Sequence, residues 1–136
     1  MSSWLECQLC PKYCRIEEGH TGDCGIRMNL DGELLATTYG GPCSVHMDPI
    51  EKKPLFHFLP GTAIFSLATA GCNLHCRNCQ NHTISQAAPE DVEGYLAPPE
   101  KLVESALRQQ ALSIAYTYTE PLVYYEYTYD CCALAH

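Results

Sequence analysis

The sequence predicts an α/β fold, and three stretches carry that prediction. Ala63 to Thr69 is a short β-like run. Pro98-Pro99-Glu100 opens a segment in which Leu102, Val103, Ala106, Leu107 and Leu112 recur near helical period, with Lys101, Glu104, Arg108 and Gln109 mostly off that stripe. Ser113 to Thr119 is rich in strand formers and is broken by Glu120-Pro121, after which Leu122 to His136 reads as a second helix. The order strand, loop, helix, strand, turn, helix is a βαβα pattern, which implies parallel strands joined by a right-handed crossover. Folds of this kind bind ligands at the carboxyl ends of their strands.

What stands at those ends is chemical. The first strand runs directly into Gly71-Cys72-Asn73-Leu74-His75-Cys76-Arg77-Asn78-Cys79-Gln80-Asn81, a C-x3-C-x2-C loop with three thiols in eight residues. Thiolates are natural ligands of iron–sulfur clusters and of zinc. Three of them on one loop suit three corners of a four-iron cube and leave the fourth iron open. Glu120 follows the second strand, so a carboxylate is expected on the same edge as the three cysteines.

The 136 residues suit one domain with a sizeable core. With 8 Lys and Arg against 16 Asp and Glu, the net charge is −8. An acidic chain has no general attraction for phosphate backbones or anionic membranes, so neither nucleic acid nor membrane is an expected partner. The stretch from Met1 to Glu6 has no basic start and no apolar core, and no apolar run approaches membrane-spanning length. A cytoplasmic protein is expected. In that compartment ten cysteines at short spacings point to metal binding rather than to a disulfide framework.

Three segments follow from this reading. Residues 1–25 form a Cys-rich metal-binding knuckle, in which Cys7, Cys10, Cys14 and Cys24 make a candidate all-thiolate site between turn-forming glycines. Zinc and a second iron–sulfur cluster both satisfy that spacing. Residues 26–60 hold a β-hairpin and a connecting segment. In the hairpin, Ile26–Leu30 and Glu33–Tyr39 flank the tight-turn pair Asp31-Gly32. In the connection, Asp48 to Gly61 is expected to be a proline-bounded linker whose Phe56 and Phe58 pack on the core, with a wall beside the cysteine site as the alternative. Residues 61–136 hold the two βα units. Cys43 is expected to be a small buried hydrophobe, and Tyr124, Tyr125, Tyr127 and Tyr129 to serve packing. Cys131 and Cys132, adjacent on a helix, point apart and are read as structural.

A C-x3-C-x2-C loop after the first strand of a βα series resembles the radical SAM superfamily. The motifs Cys7-x2-Cys10-Pro11, Asp48 to Gly61, Gly71-Cys72-Asn73, Cys79-Gln80-Asn81 and Tyr116 to Pro121 together look like the AmmeMemoRadiSam system radical SAM enzymes, relatives of pyruvate formate-lyase activating enzymes. The resemblance runs over nearly the whole chain. It implies the N-terminal part of a radical SAM partial (βα) barrel, preceded by the small Cys-rich, hairpin-containing segment. It also implies that Cys72, Cys76 and Cys79 hold a 4Fe-4S cluster whose unique iron is chelated by S-adenosylmethionine. The pair would generate a 5′-deoxyadenosyl radical that abstracts hydrogen from a substrate, with electrons from a donor such as flavodoxin or ferredoxin. Glu120 occupies the place of a Gly-Gly-Glu segment that contacts the amino group of S-adenosylmethionine in the superfamily.

Two departures stand out. Asn78 sits where many members carry an aromatic residue beside the adenine. Barrels of this general type also need about 200 residues or more, so the chain is expected to be an N-terminal fragment, inactive alone. The substrate, a small molecule or a protein, is not fixed by these residues. Kinship with activating enzymes raises glycyl radical enzyme activation. The competing reading is a non-catalytic zinc-binding interaction module, with Cys72, Cys76, Cys79 and His82 as one closed set and the first four cysteines as another.

Overall fold

The computed structural model describes residues 4–136, so the first three residues of the 1–25 segment lie outside the described residues. The antiparallel strands β1 (Trp4–Glu6) and β2 (Arg15–Glu17) bracket the Cys10–Cys14 turn, with Leu5 opposite Ile16. β3 (Arg27–Leu30) and β4 (Glu33–Ala36) form the expected hairpin. Asp31 and Gly32 both take positive φ, 53° and 78°, as a tight hairpin turn with matching twist requires. Asn29 joins the two hairpins. Its side chain donates to the Ile16 carbonyl at 2.9 Å, and its backbone N–H donates to His20 at 3.1 Å.

The main sheet has three strands in the order β5 (Ser44–Pro49), β6 (Ala63–Ala68) and β7 (Ser113–Tyr116). β6 and β7 are parallel, as the βαβα pattern predicts, with Phe65 opposite Ile114 and Leu67 opposite Tyr116. β5 pairs antiparallel to β6. That strand was not foreseen: its last residues fall inside the expected linker, and a strand of mixed polarity gives little signal until its partner is known. Three helices, α1 (His82–Ser85), α2 (Pro99–Arg108) and α3 (Tyr125–Ala135), complete a mixed α/β architecture. Among the described residues the sheet stays open and no closed barrel forms.

Alternation along the strands separates the two faces of the sheet. Phe65 and Leu67, with Val45, Met47, Ile114 and Tyr116 from the neighbouring strands, pack under α2 and α3. There they meet Leu102, Ala106, Val123, Tyr124, Tyr127 and Cys131. Tyr127 is fully buried and its hydroxyl donates to the Ala97 carbonyl, so the aromatic body fills the core while its polar tip is satisfied. The opposite face is mostly small and polar: Ser44, His46 and Asp48 on β5 stand opposite Ala68, Ser66 and the apolar Ile64 on β6.

Several side chains depart from the expected pattern. Leu107 and Leu112 are 69% and 66% exposed: Leu107 lies off the buried edge of α2, which is Pro99, Leu102, Val103 and Ala106, and Leu112 lies beyond the helix end at Arg108. Phe56 and Phe58 are also exposed rather than packed on the core, since the loop that bears them runs over the surface. Tyr124 and Tyr127 do pack, while Tyr125 and Tyr129 lie exposed with ring centroids 5.9 Å apart. Cys131 is buried and Cys132 exposed, as adjacent helical positions dictate. Cys43 is half-buried.

The contrast within α2 is measurable. Leu102→Ala, at a position 2% exposed, is expected to cost about 2–5 kcal/mol. Leu107→Ala is expected to stay within about 0.5 kcal/mol. Urea unfolding of the two variants checks both values.

Candidate metal centre

The three clustered cysteines leave β6 through a tightly determined bend. Thr69, Ala70, Gly71 and Cys72 are all buried. Gly71 has φ +84°, and a Cβ there would lie 2.5 Å from both the Cys24 carbonyl oxygen and Ile26 Cγ2. Only glycine fits a left-handed backbone pressed this closely against the first segment. Its N–H donates to the Ile84 carbonyl at 3.0 Å, which draws α1 back onto the loop. Within the loop, the Leu74 N–H lies 3.4 Å from Cys72 Sγ, the Cys79 N–H donates to the Cys76 carbonyl, and Ser85 Oγ sits 3.3 Å from Cys79 Sγ.

The end of β7 is shaped with equal care. Thr117 N–H extends the ladder to the Leu67 carbonyl at 2.9 Å, and Thr119 Oγ1 donates to the Thr69 carbonyl at 3.1 Å. Between them Tyr118 holds φ 66°, and Thr119 N–H donates back to the Thr117 carbonyl at 2.8 Å. This is the rarer, positive-φ γ-turn. Its strain is held by contacts on both sides: the Tyr118 carbonyl accepts from Asn81 Nδ2 of the cysteine loop at 3.0 Å, and its hydroxyl donates to Asp48. Glu120 follows directly. Its Oε1 accepts from the Leu122 N–H at 3.2 Å and caps the 3₁₀ turn Pro121–Tyr124.

These two strand ends open into one cleft of about 750 Å³ lined by Cys72, Cys76, Cys79 and Glu120. Ligand pockets fall in this size range. The expectation that the thiols and the carboxylate share an edge therefore holds in three dimensions. His82 does not join them: it opens α1, is exposed, and is absent from the lining. Asn78 is exposed as well. The donor chemistry of three free thiols around a cofactor-sized cleft fits a four-iron cluster, and N–H and O–H groups near two of the sulfurs are of the kind that tune one. Among the described residues no group of three or more His, Cys, Asp or Glu side chains is gathered tightly enough to hold a single metal ion.

The segment from Asp48 onward, read first as a linker and alternatively as a wall beside the cysteine site, supplies part of the cleft wall. His46, Lys52, Lys53, Pro54 and Tyr118 line the cleft. Asp48, 5% exposed, anchors that wall with its oxygens 2.8 Å from Lys52 Nζ and 2.7 Å from Lys53 Nζ. Lys53 Nζ also lies 4.3 Å from the centroid of the Tyr118 ring, a cation–π contact. Burial opposes ionisation of Asp48, but hydrogen bonds with Lys52, Lys53 and Tyr118 outweigh it and hold the carboxyl well below its usual range. The paired lysines beside Pro54 were the available signal, hidden inside a stretch that reads as a linker.

The cysteine loop also reaches the first segment. His75 Nε2 lies 2.9 Å from Asp23 Oδ2, and its Nδ1 lies 2.6 Å from Gln86 Oε1. These hydrogen bonds, Asp23 first, raise the His75 pKa. Asp23 in turn pairs with Lys12. Cys7, Cys10, Cys14 and Cys24 line a separate, much smaller space of about 20 Å³.

No family model matches the chain, and no solved structure matches it. The chain is similar to Uncharacterized protein MJ0808 of Methanocaldococcus jannaschii, with 50% identity over 131 residues. That match covers 96% of this chain and 39% of the relative, so the chain spans well under half the length of the curated protein it matches. No helix among the described residues is long and apolar enough to cross a membrane.

Two outcomes test this geometry. Gly71→Ala is expected to cost at least about 1–2 kcal/mol from the left-handed backbone alone, with the clash against Cys24 and Ile26 added; the urea midpoint reads the loss. Ionised Asp48 adds stability that is complete above its ordinary pKa of 3.8 and fades as pH falls toward its lowered folded-state value. Thermal melts of wild type and Asp48→Asn should therefore differ most near neutral pH and converge in acid.

Proposed function

We propose that this chain carries the cluster and cofactor end of a radical SAM enzyme. The observation that supports it best is the convergence of Cys72, Cys76, Cys79 and Glu120 on one cleft at the carboxyl ends of two parallel strands. Structural thiols have no need of that edge, and the edge is where βα folds place ligands. On this reading β6 and β7 are the first two strands of a partial (βα) barrel.

Cys72, Cys76 and Cys79 would hold three irons of a 4Fe-4S cluster. When bound, the cluster and S-adenosylmethionine supply reductive one-electron cleavage and a 5′-deoxyadenosyl radical for hydrogen abstraction. The chain's own residues bind and orient. Glu120 uses one oxygen to cap Pro121–Tyr124, and its negative charge is available to a cofactor ammonium group. The cap and the Asn81–Tyr118 bond fix the carboxylate relative to the cysteine loop. Ser85 and the Leu74 N–H sit within reach of ligand sulfurs. Lys52, Lys53 and His46 line the same cleft and meet whatever occupies the part of it not taken by the cysteines. The electron donor is a small redox protein such as flavodoxin or ferredoxin, and the reaction class includes glycyl radical enzyme activation. His82, the fourth ligand of the zinc-module reading, is absent from the lining of the cleft, which favours an open fourth position in the second block.

Anaerobic reconstitution with iron and sulfide is the decisive experiment. A brown protein is expected, with four irons that depend on the second cysteine block and are lost in Cys76→Ala. Its reduced EPR signal should change when S-adenosylmethionine is added. A colourless chain with zinc at Cys72, Cys76 and Cys79 would overturn the proposal. Glu120→Gln keeps a cap oxygen but removes the charge, so it should leave the melting temperature nearly unchanged. It should weaken S-adenosylmethionine binding by about 1.5–3 kcal/mol, the scale of a hydrogen bond to a charged group.

A further inference from the structure

The cleft leaves Cys7, Cys10, Cys14 and Cys24 unused, yet the fold gathers them. The Cys7 N–H donates to the Cys14 carbonyl at 2.9 Å, which closes the turn that carries Cys10. Gly22 lets the next turn fold down on Cys14: a Cβ there would meet Ile16 Cδ1 at 3.0 Å and Cys14 Sγ at 3.6 Å. The turn is closed by the Gly25 N–H on the Gly22 carbonyl at 2.9 Å, and it brings in Cys24. All four are free thiols lining one space of about 20 Å³. That is room for about one atom, since a single water needs roughly 10–15 Å³. A single ion matches such a space, whereas a four-iron cube with its sulfides would require it to open further.

A second observation points to the same place. Arg27 lines this space and is 5% exposed. Its Nη1 and Nη2 each donate to Glu126 at 2.8 Å, but its Nε is buried with no partner among the described residues. A buried N–H without an acceptor is costly. Four thiolates around a divalent ion carry a charge of −2, and their sulfurs are acceptors. Lys12 also lines this space, paired with Asp23.

We propose that Cys7, Cys10, Cys14 and Cys24 bind one tetrahedral zinc ion and that Arg27 Nε–H donates to a ligand sulfur. Four thiolates in a closed shell suit zinc, and binding releases the thiol protons to solvent with no change of oxidation state. Because the four side chains ring the space without yet sharing one ligating centre, binding draws the knuckle together. Asn73 forms part of the same wall, so the ion stands directly behind the loop of Cys72. The site does not depend on the second block holding iron.

The test uses the 136-residue chain with Cys72→Ala, Cys76→Ala and Cys79→Ala combined, which separates the first block from any cluster at the second. One zinc per chain is expected by elemental analysis, with a four-sulfur shell at about 2.3 Å by X-ray absorption. Adding Cys10→Ser or Cys24→Ser should abolish it. Incorporation of iron and sulfide by the triple variant, or no zinc in a chain whose circular dichroism matches wild type, overturns the site. If the triple variant does not fold, the wild-type chain is measured instead: a four-sulfur zinc shell supports the site, and its absence overturns it. Arg27→Met should weaken zinc 10- to 100-fold in chelator competition and shift the thiolate-to-metal band of the cobalt form. Glu126→Gln should leave that band in place. Equal effects of the two variants overturn the contact from Arg27.

Discussion

The close approach at Gly71 is the constraint on which the rest depends. There the chain leaves β6 in a left-handed conformation, with no room for a Cβ between it and the Cys24 carbonyl and Ile26. That single contact holds the Cys72 loop against the Cys24 turn. It also places Ile26 in the same core as Phe65 and Leu67. The polar bridge from His75 to Asp23 and the shared wall at Asn73 run alongside it. The base against which the three-cysteine loop is held is another cysteine-bearing segment.

The cleft is asymmetric in its chemistry. One side carries thiols and a carboxylate, and the other carries two lysines held on a buried aspartate. Asp48 is the hinge of that second side. Its burial would be unfavourable without the two ammonium groups and the Tyr118 hydroxyl, and with them it ties β5, the 3₁₀ turn Ile50–Lys52 that follows it and the segment after β7 together. The same tyrosine carbonyl reaches the cysteine loop through Asn81. Tyr118 therefore ties both walls together, which accounts for a strained φ at a residue other than glycine.

Much of the fold was legible because its signals are local. Asp31-Gly32 declares a hairpin through backbone conformation alone, and Pro99 with Glu100 declares a helix start. The thiols of the second block were legible as a set because they lie on one loop. Leu107, Leu112, Phe56 and Phe58 were misread because burial depends on which neighbours arrive, and none covers these four. β5 was missed for the same reason, since it becomes a strand by pairing with β6 across a long loop.

Residue type and spacing thus specified the parallel βαβα order and a thiol loop at a strand end, because turn chemistry, helical period and cysteine spacing act over a few residues. Tertiary structure alone decided that Glu120 caps a turn while lining the cleft, that His82 is not in its lining, and that Lys52 and Lys53 line the same cleft as the cysteines. It alone showed the first four thiols around an atom-sized space with an unsatisfied Arg27 N–H beside them. Those facts rest on distances between segments far apart in the chain, which composition and period do not encode.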